Sequence, residues 1–457
     1  MSAAKRWRRA CAQLICVLAA CLSLTAPTSA QTGPPQAIGA PPELAAKLGR
    51  QLAGLHHEFL AHLESRGAGS APAFRPSDRM LRVDEGFVLV DAVAAADAKA
   101  LADDVRALGG HHVARHRSLV SALVPIRLLD RLAGLQSLQF ARPAMYRLQA
   151  GSVTSQGDVA QASDTARTAF GVDGTGITVG VISDSYDCDS GAAADVAAGD
   201  LPANVNVLQE ACAGIDEGRA MLQIVHDVAP GASLAFQTGA FGRAGFANGI
   251  DALVAAGADV IVDDLFYYAE PMFQDGIVAQ AVDSAYANGV AYFSSAGNAG
   301  TASYESAFRD TGLEGPIGGT LHDFDPGPGV VTAQPITIPV DAEIIVVLQW
   351  DQPFWSLSPG SGAKTDLAVS LLAADGQTVV AFADDSNMNS DPIEGLAFTN
   401  DGTLPQGSDS RFYLTIENYF GPDPGLIKYM YVDNGGGVTV DQFDTQSGTS
   451  YGHSAAA

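Results

Sequence analysis

The sequence predicts a mixed α/β chain whose central part is a parallel sheet with helices on both faces. Between residues 171 and 300, strand-like apolar runs alternate with runs at helical spacing, the order typical of such a sheet. Beyond residue 320 the helical period disappears, and short β-rich runs separated by glycine turns predict a β-sandwich. The 457 residues, 47% of them hydrophobic, are enough for about three domains.

Acidic residues outnumber basic ones, with 51 Asp and Glu against 25 Lys and Arg. Four of the basic residues and none of the acids lie in residues 1–30, so the net charge beyond them is −30. Such a charge disfavours binding to nucleic acid and to anionic membrane surfaces. It suits an exported protein in acidic or salty surroundings.

Residues 1–30 are typical of a signal peptide for export. A basic stretch, residues 5–9, precedes an apolar run over residues 10–24 that is too short to span a bilayer. Cleavage would fall before Gln31; alternatively, Leu18-Ala19-Ala20-Cys21 is similar to a bacterial lipobox and would lipidate Cys21. Both predict a secreted, periplasmic or cell-surface protein, and no later segment is long and apolar enough to span a membrane.

Two cysteines remain beyond the signal peptide, Cys188 and Cys212. An exported chain with two cysteines can form one disulfide. The bridge would tie the region after Asp184 to the loop before Glu217; the alternative is two unpaired thiols.

The segment before the central sheet divides into residues 31–86 and residues 87–145. The first contains linker sequence and an amphipathic helix over residues 42–64. The second has the order strand, helix, strand, strand, helix, strand, which is the ferredoxin-like pattern. Its many arginines would favour docking onto the acidic remainder as a pro-segment; the alternative is an ordinary small domain.

The central domain, predicted over residues 165–315, places polar residues where its strands end. Asp184 follows one strand, the pair Asp263 and Asp264 follows another, and Asn298 comes shortly after a third. Ligands bind at the carboxyl ends of the strands in such sheets.

Glu217 lies at or just before the start of a helix. Apolar residues follow it at helical spacing, and Ala229-Pro230 ends the helix. The simplest interpretation is a carboxylate stabilised by the helix dipole.

The β-sandwich is predicted over residues 320–440, and residues 441–457 return to the central domain. Acids in the sandwich could bind calcium through oxygen ligands or lie in solvated turns (Asp351, Asp366, Asp384, Asp385). No Cys/His cluster has zinc spacing.

Three segments in order resemble the subtilisin-like serine peptidases of the subtilase and sedolisin superfamily. Residues 174–185 resemble their aspartate segment, and residues 218–232 resemble their histidine helix and the next strand. Residues 259–262, followed later by residues 289–298, resemble their oxyanion segment. Residues 87–143 look like their inhibitory propeptide, and the β-rich region looks like a sandwich found in secreted bacterial peptidases. The resemblance implies a subtilisin-like fold that hydrolyses protein or peptide substrates as a monomer, with no required cofactor.

Glu217 stands where that family has its histidine, and His226 lies at the other end of the helix. The carboxylate is similar to that of sedolisins, which have a Ser-Glu-Asp triad and acidic optima. Sedolisins carry a second acid where this chain has Met221, and an oxyanion Asp where it has Asn298. The resemblance implies that Glu217 is the general base.

The same resemblance implies roles for the other polar residues. Asp184 would hold Glu217 and share a proton with it, and Asn298 would donate to the oxyanion. Asp263 or Asp264 would line the substrate cleft.

The nucleophile is the least defined part of the pattern. The family's serine lies in Gly-Thr-Ser-x-Ala-x-Pro, and Gly448-Thr449-Ser450 departs from that motif at the next residues. Gly452-His453-Ser454 is closer to the motif. We expect the serine beyond Ala457, in an incomplete chain, with Ser454 as the alternative.

The sequence therefore predicts an exported serine-type endopeptidase with an acidic preference. The alternative is a catalytically incomplete binding protein of the same fold, favoured by the lost histidine and the missing serine motif. A polysaccharide hydrolase using Asp184 and Glu217 as paired acids would leave residues 295–298 unexplained.

Overall fold

The computed structural model describes residues 42–64, 74–78, 81, 83–148, 156–212, 214–404 and 410–456. The predicted signal peptide, Gln31 and Cys21 lie outside these ranges. Within them, no helix combines the length and hydropathy needed to cross a membrane.

Residues 42–148, here called the N-terminal segment, contain an antiparallel sheet covered by helices. Leu48 and Leu52 of the first helix are buried in one cluster with Val90 of the sheet. From β2 to β5 the order is strand, helix, strand, strand, helix, strand, and β2 pairs with both β4 and β5. The elements are α1 (Pro42–Glu64), β1 (Val83–Asp84), β2 (Phe87–Ala94), α2 (Ala98–Ala107), β3 (His111–His116), β4 (Leu119–Pro125), a 3₁₀ turn (Ile126–Leu128), α3 (Leu129–Ala133), β5 (Leu138–Pro143) and β6 (Tyr146–Leu148).

The central part of the chain is a five-stranded parallel sheet with strand order β12-β10-β7-β9-β8. It is built from α4 (Gly157–Ala160), α5 (Ser163–Phe170), β7 (Thr178–Ser183), α6 (Ala192–Ala198), β8 (Asn206–Gln209), α7 (Glu217–Val228), β9 (Ser233–Thr238), α8 (Gly242–Ala255), β10 (Val260–Asp263), β11 (Leu265–Tyr267), α9 (Ile277–Ala287) and β12 (Ala291–Ser294).

Helices cover both faces of this sheet. On one face, Ile250 of α8 and Val278 of α9 pack in the same cluster as Ile182 of β7. On the other face, Leu222 of α7 packs with Val181 of β7. Neighbouring residues of one strand thus enter different cores, because side chains alternate along a strand. The predicted mixed α/β class is confirmed.

The remaining strands form two antiparallel sheets that share one apolar core. A four-stranded sheet has the order β13-β22-β17-β20, and a larger sheet contains β14, β15, β16, β18, β19, β21 and β23. Trp350 of the first and Phe412 of the second are buried in the same cluster. The strands are β13 (Ser303–Ala307), β14 (Asp310–Glu314), β15 (Thr320–His322), β16 (Gln334–Thr337), β17 (Glu343–Trp350), β18 (Asp366–Leu372), β19 (Val379–Ala383), β20 (Ile393–Thr399), β21 (Arg411–Phe420), β22 (Leu426–Val432) and β23 (Thr439–Val440).

The antiparallel sheets begin earlier than the sequence predicts. Strand β13 pairs along its whole length with β22, so the boundaries at residues 315 and 320 fall too late. The sequence of β13 is polar and gives little β signal. Part of its stabilisation is a long-range ion pair, with Lys428 Nζ 3.1 Å from Glu305 Oε2.

Candidate active site

Asp184 follows β7 and anchors the start of α7. Its fully buried carboxylate accepts hydrogen bonds from the backbone N–H groups of Ile215 at 2.6 Å and Glu217 at 2.9 Å. Gly214 lies so close that a Cβ on it would overlap the Asp184 carboxylate. Asp184 therefore caps the helix from another part of the chain, as an N-cap side chain would.

The loop before α7 is held by Asp216, which has a left-handed backbone with φ of +59°. Its carboxylate accepts from the Ser185 hydroxyl at 2.7 Å and from the N–H groups of Cys188 and Asp189, each at 2.9 Å. Burial opposes the ionised form, but these hydrogen bonds hold the pKa of Asp216 well below its usual range. The structure joins Cys188 to Cys212, with Cα atoms 5.1 Å apart, which further fixes the loop.

Glu217 is the first residue of α7 and is 8% exposed. Its Oε2 atom is buried and has no hydrogen-bond partner among the described residues. Burial raises the pKa of Glu217, and the negative charge of Asp184 raises it further. The helix dipole acts in the opposite direction.

The hydrogen bonds of Asp184 go to backbone N–H groups, and within the described chain none reaches the Glu217 carboxyl. A proton shared by these two acids stays a prediction. Asp184 positions the backbone of Glu217, and the two carboxyl groups interact through charge.

Asp264 is the third acid at this edge of the sheet, directly after β10. Its carboxyl oxygens are buried, and the Ser183 hydroxyl is the hydrogen-bonding group beside them. Burial raises the pKa of Asp264 to about 8, and the charges of Glu217, Asp263 and Asp184 contribute. Asp184, Glu217 and Asp264 thus form one acidic group at the carboxyl edge of the parallel sheet.

His453 is a residue that the sequence did not single out for a role. It lies in a 3₁₀ turn (Gly452–Ala455), with Nδ1 2.8 Å from Glu270 Oε2 and Nε2 3.2 Å from Asp263 Oδ1. All three side chains are at most 2% exposed. Burial alone would lower the pKa of His453, but the carboxylates of Glu270 and Asp263 raise it to about 10. The protonated His453 side chain therefore links the segment around residue 453 to the end of β10 through ion pairs.

Asp263 does not line a cleft as predicted. Its side chain is turned to His453 and accepts a hydrogen bond from the Ser294 hydroxyl at 2.8 Å. Adjacent residues at a strand end face opposite sides, so Asp263 and Asp264 cannot share one role. No local signal in the sequence tells which of the two faces the acidic group.

Asn298 lies in the loop after β12 and lines a small cavity of about 20 Å³ together with Phe266 and Thr449. The Ser450 hydroxyl donates to the carbonyl of Ala296 at 3.4 Å, so residues 449–450 return to the Asn298 loop.

The serines of this returning segment are not bonded to the acidic group. The Ser454 hydroxyl donates to the Tyr451 carbonyl at 2.8 Å. Among the described residues, no serine hydroxyl hydrogen-bonds to Glu217.

Calcium binding by the acids of the β-sandwich stays a prediction. No three or more His, Cys, Asp or Glu side chains in the described ranges are grouped so that they could hold an ion. The Asp351 carboxylate accepts a hydrogen bond from the N–H of Gly425 at 2.9 Å. Asp384 Oδ1 forms an ion pair with Arg50 Nε at 2.5 Å. The oxygens expected to bind calcium are thus used within the fold.

Comparison with known proteins gives little further guidance. No family model and no curated protein match the chain. Among solved structures, the CspB protease of Clostridium perfringens is similar over 62% of this chain and 66% of its own length, at 10% identity and a TM-score of 0.31. The chain thus spans slightly less than two thirds of that protease. A TM-score of 0.31 is too low to indicate an activity.

Proposed function

We propose that the protein is an exported serine-type endopeptidase of subtilisin-like fold that acts on proteins or peptides under acidic conditions. The observation that carries the proposal is a strand pairing beside the acidic group. Strand β11, which begins one residue after Asp264, pairs antiparallel with β6 of the N-terminal segment. An extended peptide backbone therefore lies along the strand that follows Asp264, as a substrate would.

Glu217 would take the proton from a serine hydroxyl as that oxygen attacks the peptide carbonyl, and would then give it to the leaving amine. Asp184 would fix the start of α7 and keep the pKa of Glu217 raised. Asn298 would donate to the oxyanion, a role typically worth about 3 kcal/mol. The serine would be Ser454 or a residue beyond Ala457.

The acidic preference follows from two groups. Glu217 must be ionised to accept a proton, which sets the lower limit of activity. Asp264, with its pKa raised to about 8, adds a negative charge beside the developing oxyanion once it ionises. Activity would therefore rise as Glu217 ionises and fall as the pH rises through about 8. The optimum below about pH 6 is what the resemblance to sedolisins implies.

The N-terminal segment would act as a pro-segment that covers this cleft. It docks on α8 through a buried ion pair, with Arg243 Nε 2.8 Å from Asp91 Oδ2, and its strand β6 occupies the edge of β11. Arg243 also donates to the carbonyl of Ala269 at 2.7 Å, close to the end of β11.

The test is casein hydrolysis and fluorophosphonate labelling by the full-length protein across the acidic and neutral pH range. Glu217→Gln should lower activity about a hundred- to ten-thousandfold without unfolding the chain, because the amide has the shape of the protonated acid. Glu314→Gln, which changes an exposed acid on β14, should leave activity unchanged. Mass spectrometry of the labelled protein would identify the serine. Full activity of the Glu217→Gln protein would overturn the mechanism.

The second candidate is a catalytically incomplete binding protein of the same fold. It is favoured by the hydrogen bond that turns the Ser454 hydroxyl to Tyr451 rather than to Glu217. Absence of labelling at every pH, together with absence of casein hydrolysis, would support it over the peptidase.

A further inference from the structure

A cavity of about 90 Å³ lies where the N-terminal segment meets the four-stranded sheet and the chain just after β11. Its walls combine apolar surface with three acids. The residues of the sheets and of the loop after β11 that matter here are Tyr268, Val347, Phe382, Asp384, Asp385 and Glu394.

Glu394 is the most unusual group in this cavity. It lies on β20, is 2% exposed, and its Oε1 atom is buried with no hydrogen-bond partner in the described structure. Burial, with the charge of Asp385 adding to it, raises the pKa of Glu394 well above its usual range. The Asn387 side chain and the backbone of Asp385 hydrogen-bond to this carboxyl, which leaves Oε1 as its unpartnered atom at the cavity wall. A buried polar atom without a partner is costly for a fold, so Oε1 points to a ligand.

The same walls already bind guanidinium groups. Arg50 Nε lies 2.5 Å from Asp384 Oδ1, and its guanidinium carbon lies 4.8 Å from the centre of the Phe382 ring. Arg142 Nε lies 3.8 Å from Asp385 Oδ2. A carboxylate beside an aromatic face is a suitable environment for arginine, which combines ion pairing with stacking. Both arginines belong to the N-terminal segment.

The cavity is continuous with the cleft edge formed by β11. The pairing of β6 with β11 extends by one hydrogen bond, because the N–H of Tyr268 donates to the carbonyl of Met145 at 3.3 Å. Tyr268 and Met145 both line the cavity. A substrate strand in the place of β6 would thus present one side chain, at the position of Met145, to the acids.

We propose that this cavity is a subsite for an arginine side chain of the substrate. That arginine would stand three residues before the substrate residue that pairs with Leu265. The aliphatic part of that side chain would lie on Val347 and Tyr268, as long charged side chains do on apolar surface. Its guanidinium would reach Glu394 and Asp384. Arg50 and Arg142 occupy the position of this guanidinium while the N-terminal segment is bound, and they would be removed when that segment dissociates. This subsite rests on the proposed peptidase function.

The experiment compares fluorogenic peptides that copy residues 146–150 and carry arginine, norleucine or glutamate at the position of Met145. The full-length protein should cleave the arginine peptide with a kcat/KM at least about tenfold higher than the norleucine peptide, and the glutamate peptide least well. The double variant Glu394→Gln and Asp384→Asn should lose this preference and give similar kcat/KM values for the arginine and norleucine peptides. Glu314→Gln should keep the preference.

Equal kcat/KM for the arginine and norleucine peptides would overturn the subsite while leaving the peptidase proposal intact. An unchanged preference in the double variant would also overturn it. If no peptide is cleaved, the peptidase proposal fails instead. Binding of the same peptides would then be compared by fluorescence anisotropy, where equal or absent binding of the arginine and norleucine forms counts against the subsite. Glu394→Gln alone, a replacement of similar shape at a buried position, guards against loss of fold.

Discussion

The imidazole of His453 lies between two carboxylates, 2.8 Å from Glu270 Oε2 and 3.2 Å from Asp263 Oδ1, in a fully buried site. The backbone N–H of His453 also donates to Glu270 at 2.9 Å. These contacts join residues 183 and 190 positions apart in the sequence. They place the segment around Ser454 against the end of β10.

Replacing His453 with Gln should destabilise the protein, because it leaves two buried carboxylates without their counter-charge. Removal of one partner from a buried ion pair costs about 3–5 kcal/mol. The expected result is a decrease of that size in the free energy of unfolding at neutral pH, measured in urea. His57→Gln, which changes an exposed histidine on α1, is the control and should cost little. Equal stability of the His453→Gln protein and wild type would contradict the buried ion network.

The contribution of His453 should also depend on pH in a defined direction. Its pKa is about 10 in the folded protein, against about 6.5 in an unfolded chain, so folding favours the protonated form. The stabilisation is fully present below about pH 6.5 and is lost as the pH rises through about 10. The difference in unfolding free energy between wild type and His453→Gln should shrink over that interval. A difference that grows with pH would show that His453 is neutral in the fold.

Substitution of Asp264 should have the opposite effect and stabilise the folded protein. Its pKa is about 8 in the fold and about 4 in an unfolded chain, so ionisation above about pH 4 favours unfolding. Asp264→Asn should be close to neutral at about pH 4 and should stabilise by about 2–4 kcal/mol at about pH 8. Asp251→Asn, at an exposed position of α8, provides the matched control. No gain in stability at the higher pH would mean that Asp264 is not held protonated.

The sequence predicted the parallel sheet because its strands are apolar and alternate with helices, but it did not indicate every strand. Strand β8, Asn206–Gln209, was missed because all four residues are exposed at the edge of the sheet. Its position depends on pairing with β9, and a pattern within residues 206–209 cannot indicate that pairing.

The residues of the candidate site also fall into those that the sequence could indicate and those that it could not. Asp184, Glu217 and Asp264 could be selected because each stands at the end of a strand or the start of a helix. Glu270 and His453 could not, since their contact depends on how distant segments fold together. Glu394 was missed for another reason. It lies on the same face of β20 as Leu396 and Phe398, but a charged residue type in a short strand does not indicate burial, and Glu394 is buried only beneath other parts of the fold.

The ion pair between Asp91 and Arg243 should behave as a coupled unit across the interface of the N-terminal segment and α8. Their side chains are 2% and 6% exposed. Asp91→Asn and Arg243→Met should each cost about 3–5 kcal/mol, and the double variant should cost clearly less than their sum. The measurement is a double-mutant cycle of unfolding free energies. The exposed pair Lys99 and Asp103, 2.7 Å apart, is the control and should couple by less than about 1 kcal/mol.

Additive effects of the two buried substitutions would contradict this interface. Limited proteolysis gives a second readout, since the N-terminal segment should be cut faster in either single variant than in wild type. The control pair should not change the rate of cutting.

The disulfide between Cys188 and Cys212 should stabilise both the fold and the start of α7. The two cysteines are 24 residues apart, and closing a loop of that length typically adds about 3 kcal/mol by restricting the unfolded chain. Reduction should therefore lower the melting temperature of wild type. Because the bridged loop leads into Gly214 and Asp216, reduction should also speed amide exchange at the N–H of Glu217, which Asp184 holds at 2.9 Å. The double variant Cys188→Ser and Cys212→Ser should match reduced wild type and show no response to reductant, whereas a reductant-induced shift in that variant would place the effect elsewhere.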